Sequence, residues 1–99
     1  MTYGLFGTFT AIPGRREDLV AHLLRAADAL RGLPDCLLYL FATTDRPDDV
    51  VVTEVWTSQE AHDASLTTPA VRALITEARP LIAGMQPGLP LDVRSGIRG

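Results

Sequence analysis

Three residues in the middle of the chain could do chemistry together: Trp56, the only tryptophan, His62 six residues later, and Arg72 ten residues further on. An imidazole takes and returns a proton near neutral pH. An indole face stacks on an aromatic ligand, and a guanidinium holds an anionic oxygen through a fixed fork of donors. Each also has a plainer use. His62 stands beside Glu60 and Asp63 and could face solvent, Trp56 could close a core, and Arg72 could pair on the surface with Glu77 or Asp63. Tyr39 lies in an apolar run where its hydroxyl needs a partner; it reads first as part of a subunit interface and second as a donor to a bound ligand. Glu54 alternates onto the strand face of Trp56 and reads as a paired interface carboxylate rather than an acid catalyst. His22, beside an apolar helix stripe, reads as structural or exposed.

The elements that must position these side chains follow from periodicity. Thr2 to Ile12 alternates, with Tyr3, Leu5, Phe9 and Ala11 on one side and Phe6, Thr8, Thr10 and Ile12 on the other, and Pro13-Gly14 stops this first strand. From Arg15 to Arg31, Leu19, Val20, Leu23, Leu24, Ala27 and Leu30 recur at helical spacing, with Glu17 and Asp18 at the start and Gly32 placed to close the helix. Cys36 to Ala42 has no polar side other than Tyr39, so this strand must be covered on both faces. Asp45 to Asp49 turns the chain into a third strand, Val50 to Trp56, which puts Val50, Val52, Glu54 and Trp56 on one face. Ser58 caps a short helix through Leu66, and Thr68-Pro69 restarts a helix that Pro80 kinks or shortens and Gly84 ends. Met85 to Pro90 reads as a loop, and Leu89 to Ile97 as a last strand, at an edge where Pro90 falls.

This order is strand, helix, strand, strand, helix, strand, the α+β ferredoxin-like βαββαβ pattern, with helices on one face of a four-stranded antiparallel sheet. The chain is read as a single domain over residues 1–99, small enough to bury only roughly 65% of its unfolded surface. The uncovered sheet face is apolar in strands two and three, so a homodimer with the two sheets packed face to face is expected.

Composition narrows the function. A net charge of −3 with arginine spread among acids gives no footprint for a phosphate backbone, so nucleic acid is not expected as a partner. No apolar run approaches the roughly 20 residues of a membrane span, and no leader pattern precedes the first strand; the protein is expected to be cytoplasmic and off the membrane. A single cysteine, Cys36, excludes an internal disulfide and reads as a small core hydrophobe. There is no His-Glu-x-x-His or Cys-x-x-Cys pair, no Gly-x-Ser-x-Gly elbow and no Gly-x-Gly-x-x-Gly loop, so neither a metal nor a dinucleotide is expected.

The stretch Glu54-Val55-Trp56-Thr57-Ser58-Gln59-Glu60-Ala61, the Thr68-Pro69 pair and Pro80-Leu81-Ile82-Ala83-Gly84, set behind a strand-hairpin-strand pattern, resemble the antibiotic biosynthesis monooxygenase family and its quinol monooxygenase-like members over roughly Tyr3 to Val93. The resemblance implies a dimeric α+β barrel and oxygenation of phenols, anthrones or quinols by molecular oxygen without a cofactor. In the aromatic polyketide members, the tryptophan matching Trp56 lines the pocket, a tyrosine stands at the place of His62, and an arginine corresponds to Arg72. His62, Trp56 and Arg72 are therefore the candidate catalytic residues, and Trp56, Tyr39 and Phe6 the candidate substrate contacts. The chain departs from the pattern at Val52, where those enzymes carry asparagine, and at Ser65 and Ala70, where quinol-type members carry histidines. The asparagine, tryptophan and histidine of haem-degrading members are replaced by Phe6, Ser65 and Ile75. Two further readings stay open: a non-catalytic dimeric small-molecule-binding or accessory domain, and a polyketide cyclase-type proton-transfer enzyme.

Overall fold

A computed structural model describes residues 2–86 and 88–94. The elements in chain order are β1 (Tyr3–Ala11), α1 (Arg16–Leu30), β2 (Cys36–Thr43), β3 (Asp49–Trp56), α2 (Gln59–Ser65), α3 (Pro69–Ala78), a 3-10 turn (Arg79–Leu81), β4 (Ile82–Met85) and β5 (Leu89–Asp92). The strands form one antiparallel sheet in the order β2-β3-β1-β4, with β5 also on β1. This is the ferredoxin-like α+β fold, with five strands among the described residues where the sequence pattern predicts four.

The extra strand comes from the region around Pro80. Proline lacks an N–H and clashes with a continuing helix, so α3 stops at Ala78 and a single 3-10 turn leads straight into extended chain. Ile82, expected on the helix face, and Met85, expected in a loop, belong instead to β4, which pairs with Phe9–Ala11 of β1. β5 pairs with the other end of the same edge, Tyr3–Phe6. Of the expected last strand, Leu89 to Asp92 is the strand observed, and residues 95–97 lie outside the described residues.

The register fixes which side chains look toward the helices. Tyr3 pairs with Trp56, Leu5 with Glu54, Gly7 with Val52 and Phe9 with Val50, while Tyr39 and Phe41 of β2 pair with Glu54 and Val52. Directly paired residues share a face, and on β3 the buried positions are Val50, Val52, Glu54 and Trp56. Tyr39 therefore points to the helix-covered side, which corrects its first reading as part of a subunit interface. The opposite face carries Phe6, Leu38, Leu40 and Leu89, all exposed in the single chain.

Burial on the helix side is divided. Leu19 and Leu23 of α1 pack with Ala11, Val50, Ala78 and Leu81 at one end. Leu30, Trp56 and Val71 form a second cluster at the other. The gap between the clusters, over the middle of β1 and β3, holds the cavity described next. Gly32, at φ +96°, turns the chain after α1, a conformation that costs a residue with Cβ.

Candidate active site

α2 sets the position of the site. Thr57 is tied to Asp35 through its backbone N–H (2.9 Å) and its hydroxyl (2.8 Å), which fixes the chain leaving β3. Ser58 then caps the helix, its Oγ accepting from the backbone N–H of Ala61 at 3.1 Å. One helical turn on, His62 and Ser65 fall on the side that meets the sheet, and both are buried. The Ser65 hydroxyl donates to the His62 carbonyl at 2.6 Å.

The His62 ring lies between two aromatic side chains of the sheet. Its centroid is 5.5 Å from that of Tyr3 and 5.8 Å from that of Trp56, which it meets edge-on at 79°. Nδ1 lies 2.9 Å from Asp63 Oδ1, and Nε2 lies 3.7 Å from Glu54 Oε1. The Trp56 indole N–H donates to the same Glu54 oxygen at 3.1 Å. In the tautomer that carries its hydrogen on Nδ1, Asp63 accepts that hydrogen and Nε2 is left as the acceptor on the side of Glu54.

Glu54 is 9% exposed. Burial pushes its carboxyl above the ordinary carboxylate range, and the Trp56 hydrogen bond and the nearby imidazole offset only part of that. Burial likewise holds the Tyr39 phenol well above its ordinary range, with Glu54 adding to the effect. A carboxyl and a phenol that both favour their neutral forms therefore sit side by side on the sheet. Cys36 packs against the Trp56 cluster, as a small apolar residue would.

A cavity of about 370 Å³ opens between this floor and the helices. Its walls are mainly apolar, including Leu23 and Ala26 from α1, Val71 and Leu74 from α3, and Leu5 from β1. The polar groups at the sheet and α2 side are Tyr39, Glu54, His62 and Ser65, and His22 and Arg79 also line the space. His22, expected to be structural or exposed, is partly exposed, with Nε2 3.7 Å from Glu77 Oε2. Among the described residues, no group of three or more His, Cys, Asp or Glu side chains could hold a metal ion.

The structure brings together only part of the set expected from sequence. His62 and Tyr39 reach the cavity. Trp56 is 1% exposed and supports the site from behind, through Glu54 and the His62 ring. Arg72 is exposed on α3 and does not line the cavity, because its register on the helix turns it away from the face that buries Val71 and Ala78. Phe6 lies on the opposite sheet face, 41% exposed, because its strand parity is opposite to that of Leu5. Glu54, expected at an interface, belongs to this site instead. Its shared parity with Trp56 is the signal in the sequence that places it here.

Comparison with known proteins agrees with this architecture. The family model for antibiotic biosynthesis monooxygenase matches residues 2–77. A solved structure from Chloroflexus aurantiacus, named for the same family, is 40% identical, with 100% of this chain and 98% of that chain covered and a TM-score of 0.88. A Caulobacter crescentus structure, also named for the family, is 21% identical over 95% of this chain and 91% of its own, with a TM-score of 0.87. SnoaB, a cofactor-independent oxygenase from Streptomyces nogalater, is 18% identical over 99% of this chain and 98% of its own, with a TM-score of 0.83. At these last two identities the likeness is one of fold. No curated protein matches the chain. The chain belongs to the antibiotic biosynthesis monooxygenase family.

Proposed function

We propose that this protein is a cofactor-independent monooxygenase that oxidises an electron-rich phenol, anthrone or quinol with molecular oxygen. The observation that carries the reading is the apolar cavity of about 370 Å³ whose floor gathers Tyr39, Glu54 and His62. Ground-state oxygen reacts slowly with closed-shell organics because the direct step is spin-forbidden, whereas a deprotonated phenol or enol can give up one electron. The protein must then supply a dry pocket, a group that takes the hydroxyl proton and a donor for the resulting anion.

In this scheme His62 Nε2 takes the proton of the substrate hydroxyl, and Tyr39 donates a hydrogen bond to the oxyanion. Electron transfer to oxygen gives a radical pair, whose recombination forms a carbon–oxygen bond. The resulting peroxide anion takes the proton back from His62, which leaves an organic hydroperoxide. Loss of water from it yields the quinone, so that one substrate and one oxygen molecule give one quinone and one water.

The working unit in this proposal is a homodimer. Phe6, Leu38, Leu40 and Leu89 form an apolar sheet face that a second copy would cover. Oxygen uptake with a panel of anthrones and quinols tests the activity. Wild-type protein is expected to exceed buffer, and His62→Ala to fall by roughly 100-fold or more, the usual scale for losing a positioned base. A panel-wide absence of uptake would remove the oxygenase reading. Turnover persisting without oxygen would favour a proton-transfer enzyme, since a Glu54–His62 pair alone can serve that chemistry.

A further inference from the structure

The oxygenation scheme leaves one step without a residue. The hydroperoxide must lose water, which requires a base for the remaining carbon-bound hydrogen and an acid for the departing oxygen. From the geometry we infer that Glu54 is the acid: its carboxyl protonates the leaving oxygen as the O–O bond breaks, while His62 takes the hydrogen from carbon. This inference rests on the oxygenase reading above and assigns a catalytic role to a residue within that site.

Glu54 and His62 both line the cavity, from the sheet and from α2. Glu54 Oε1 is engaged by the Trp56 indole N–H at 3.1 Å and faces His62 Nε2 at 3.7 Å, which leaves Oε2 to carry the acid proton. An acid that acts on a leaving hydroxide must be protonated when the step begins. The apolar surroundings favour that form and hold the carboxyl above its ordinary range. The surroundings also set the limits of the device. Tyr39 faces Glu54 from β2, Leu5 faces it from β1, and Asp63 lies beyond the imidazole.

The electrons and protons balance. The C–H bond gives its pair to form the new C=O, the O–O bond breaks toward the distal oxygen, and that oxygen leaves as water with the Glu54 proton. The step ends with imidazolium and carboxylate 3.7 Å apart, and passage of the proton from His62 back to Glu54 restores both groups. Trp56 is a positioning residue here, because it fixes the Glu54 oxygen without reaching the cavity.

The test is product partition with anthrone under air, following oxygen uptake, quinone by absorbance and organic hydroperoxide by ferrous oxidation, each corrected for buffer. Glu54→Gln keeps the shape and the acceptor for Trp56 but cannot give a proton. Its quinone formation is expected to fall roughly 100-fold, the scale of a lost general acid, and hydroperoxide to accumulate in place of quinone. Glu54→Asp is expected to restore part of the quinone flux. The result is read against circular dichroism and the emission of Trp56, the single tryptophan, so that a folding loss is separated from a chemical one. Wild-type turnover with unchanged quinone yield in Glu54→Gln, or a loss of quinone with no hydroperoxide in folded Glu54→Gln and Glu54→Asp, overturns the role of Glu54 alone. Wild-type protein that takes up no oxygen across the panel overturns the reading beneath it.

Discussion

Replacing Trp56 by phenylalanine should cost stability in a pH-dependent way, and the size can be worked out from the site. The indole N–H to Glu54 Oε1 bond, 3.1 Å long and buried, is worth roughly 1.5–3 kcal/mol where Glu54 is ionised. The indole is 1% exposed. Cutting it to a phenyl ring leaves a void on the order of 40 Å³, which at about 24 cal/mol per Å³ adds about 1 kcal/mol. Together these give a loss of about 2.5–4 kcal/mol, which for a domain of this size lowers Tm by at least about 10 °C. The sign with pH follows from the bond's preference for the ionised carboxylate. It lowers the Glu54 pKa relative to a site without it, so its stabilising effect is full only above the raised folded pKa of Glu54 and shrinks as pH falls through it. Thermal denaturation of Trp56→Phe and wild type at pH 4 and pH 8 makes the comparison, with Glu54→Gln as the background that removes the charged partner. A penalty below about 0.5 kcal/mol, or one equal at both pH values, would refute the coupling between indole and carboxyl.

Glu54→Gln should itself stabilise the protein at pH 8 and give no gain at pH 4. A buried carboxyl whose folded pKa is raised costs stability once pH rises above its unfolded value, by about 1.4 kcal/mol for every tenfold weakening of the acid, and denaturant titration at the two pH values measures the difference. Arg72→Ala should leave kcat/KM within about twofold in steady-state assays, as expected for a surface change away from the cavity. If the protein pairs as proposed, Leu40→Glu, midway along the edge strand β2 on the outward sheet face and 55% exposed in the single chain, should shift sedimentation velocity from dimer to monomer; an unshifted dimer would show that the interface lies elsewhere.

Much of the fold was legible because single side chains decided it. The alternation of Val50, Val52, Glu54 and Trp56 against Val51, Thr53 and Val55 defined β3 and its inner face, and Ser58 marked the start of α2. One feature was hidden. β4 is four residues long, and its Ile82 continues the helical spacing of α3, so the break at Pro80 reads as a kink rather than as a change of element. The site was half legible. His62 could be placed on a helix after the strand, but whether it faced solvent or sheet depended on packing against Tyr3 and Trp56, and Tyr3 is distant in sequence. Tyr39 sits one residue beyond the irregular pairing between Cys36 and Leu38, which resets the parity of β2; the apolar run has no polar neighbour that would reveal the shift. Resemblance and residue type alone point to Arg72 and Phe6. Helix register and strand parity turn both away from the cavity.

The most direct measurement is isotopic. Wild-type protein is given an anthrone under ¹⁸O₂, and the quinone is analysed by mass spectrometry within one turnover, before exchange with water. One ¹⁸O atom is expected at the new carbonyl, the other in water, with loss of the signal in His62→Ala. Quinone carrying only ¹⁶O, or product formed equally under argon, would contradict this expectation.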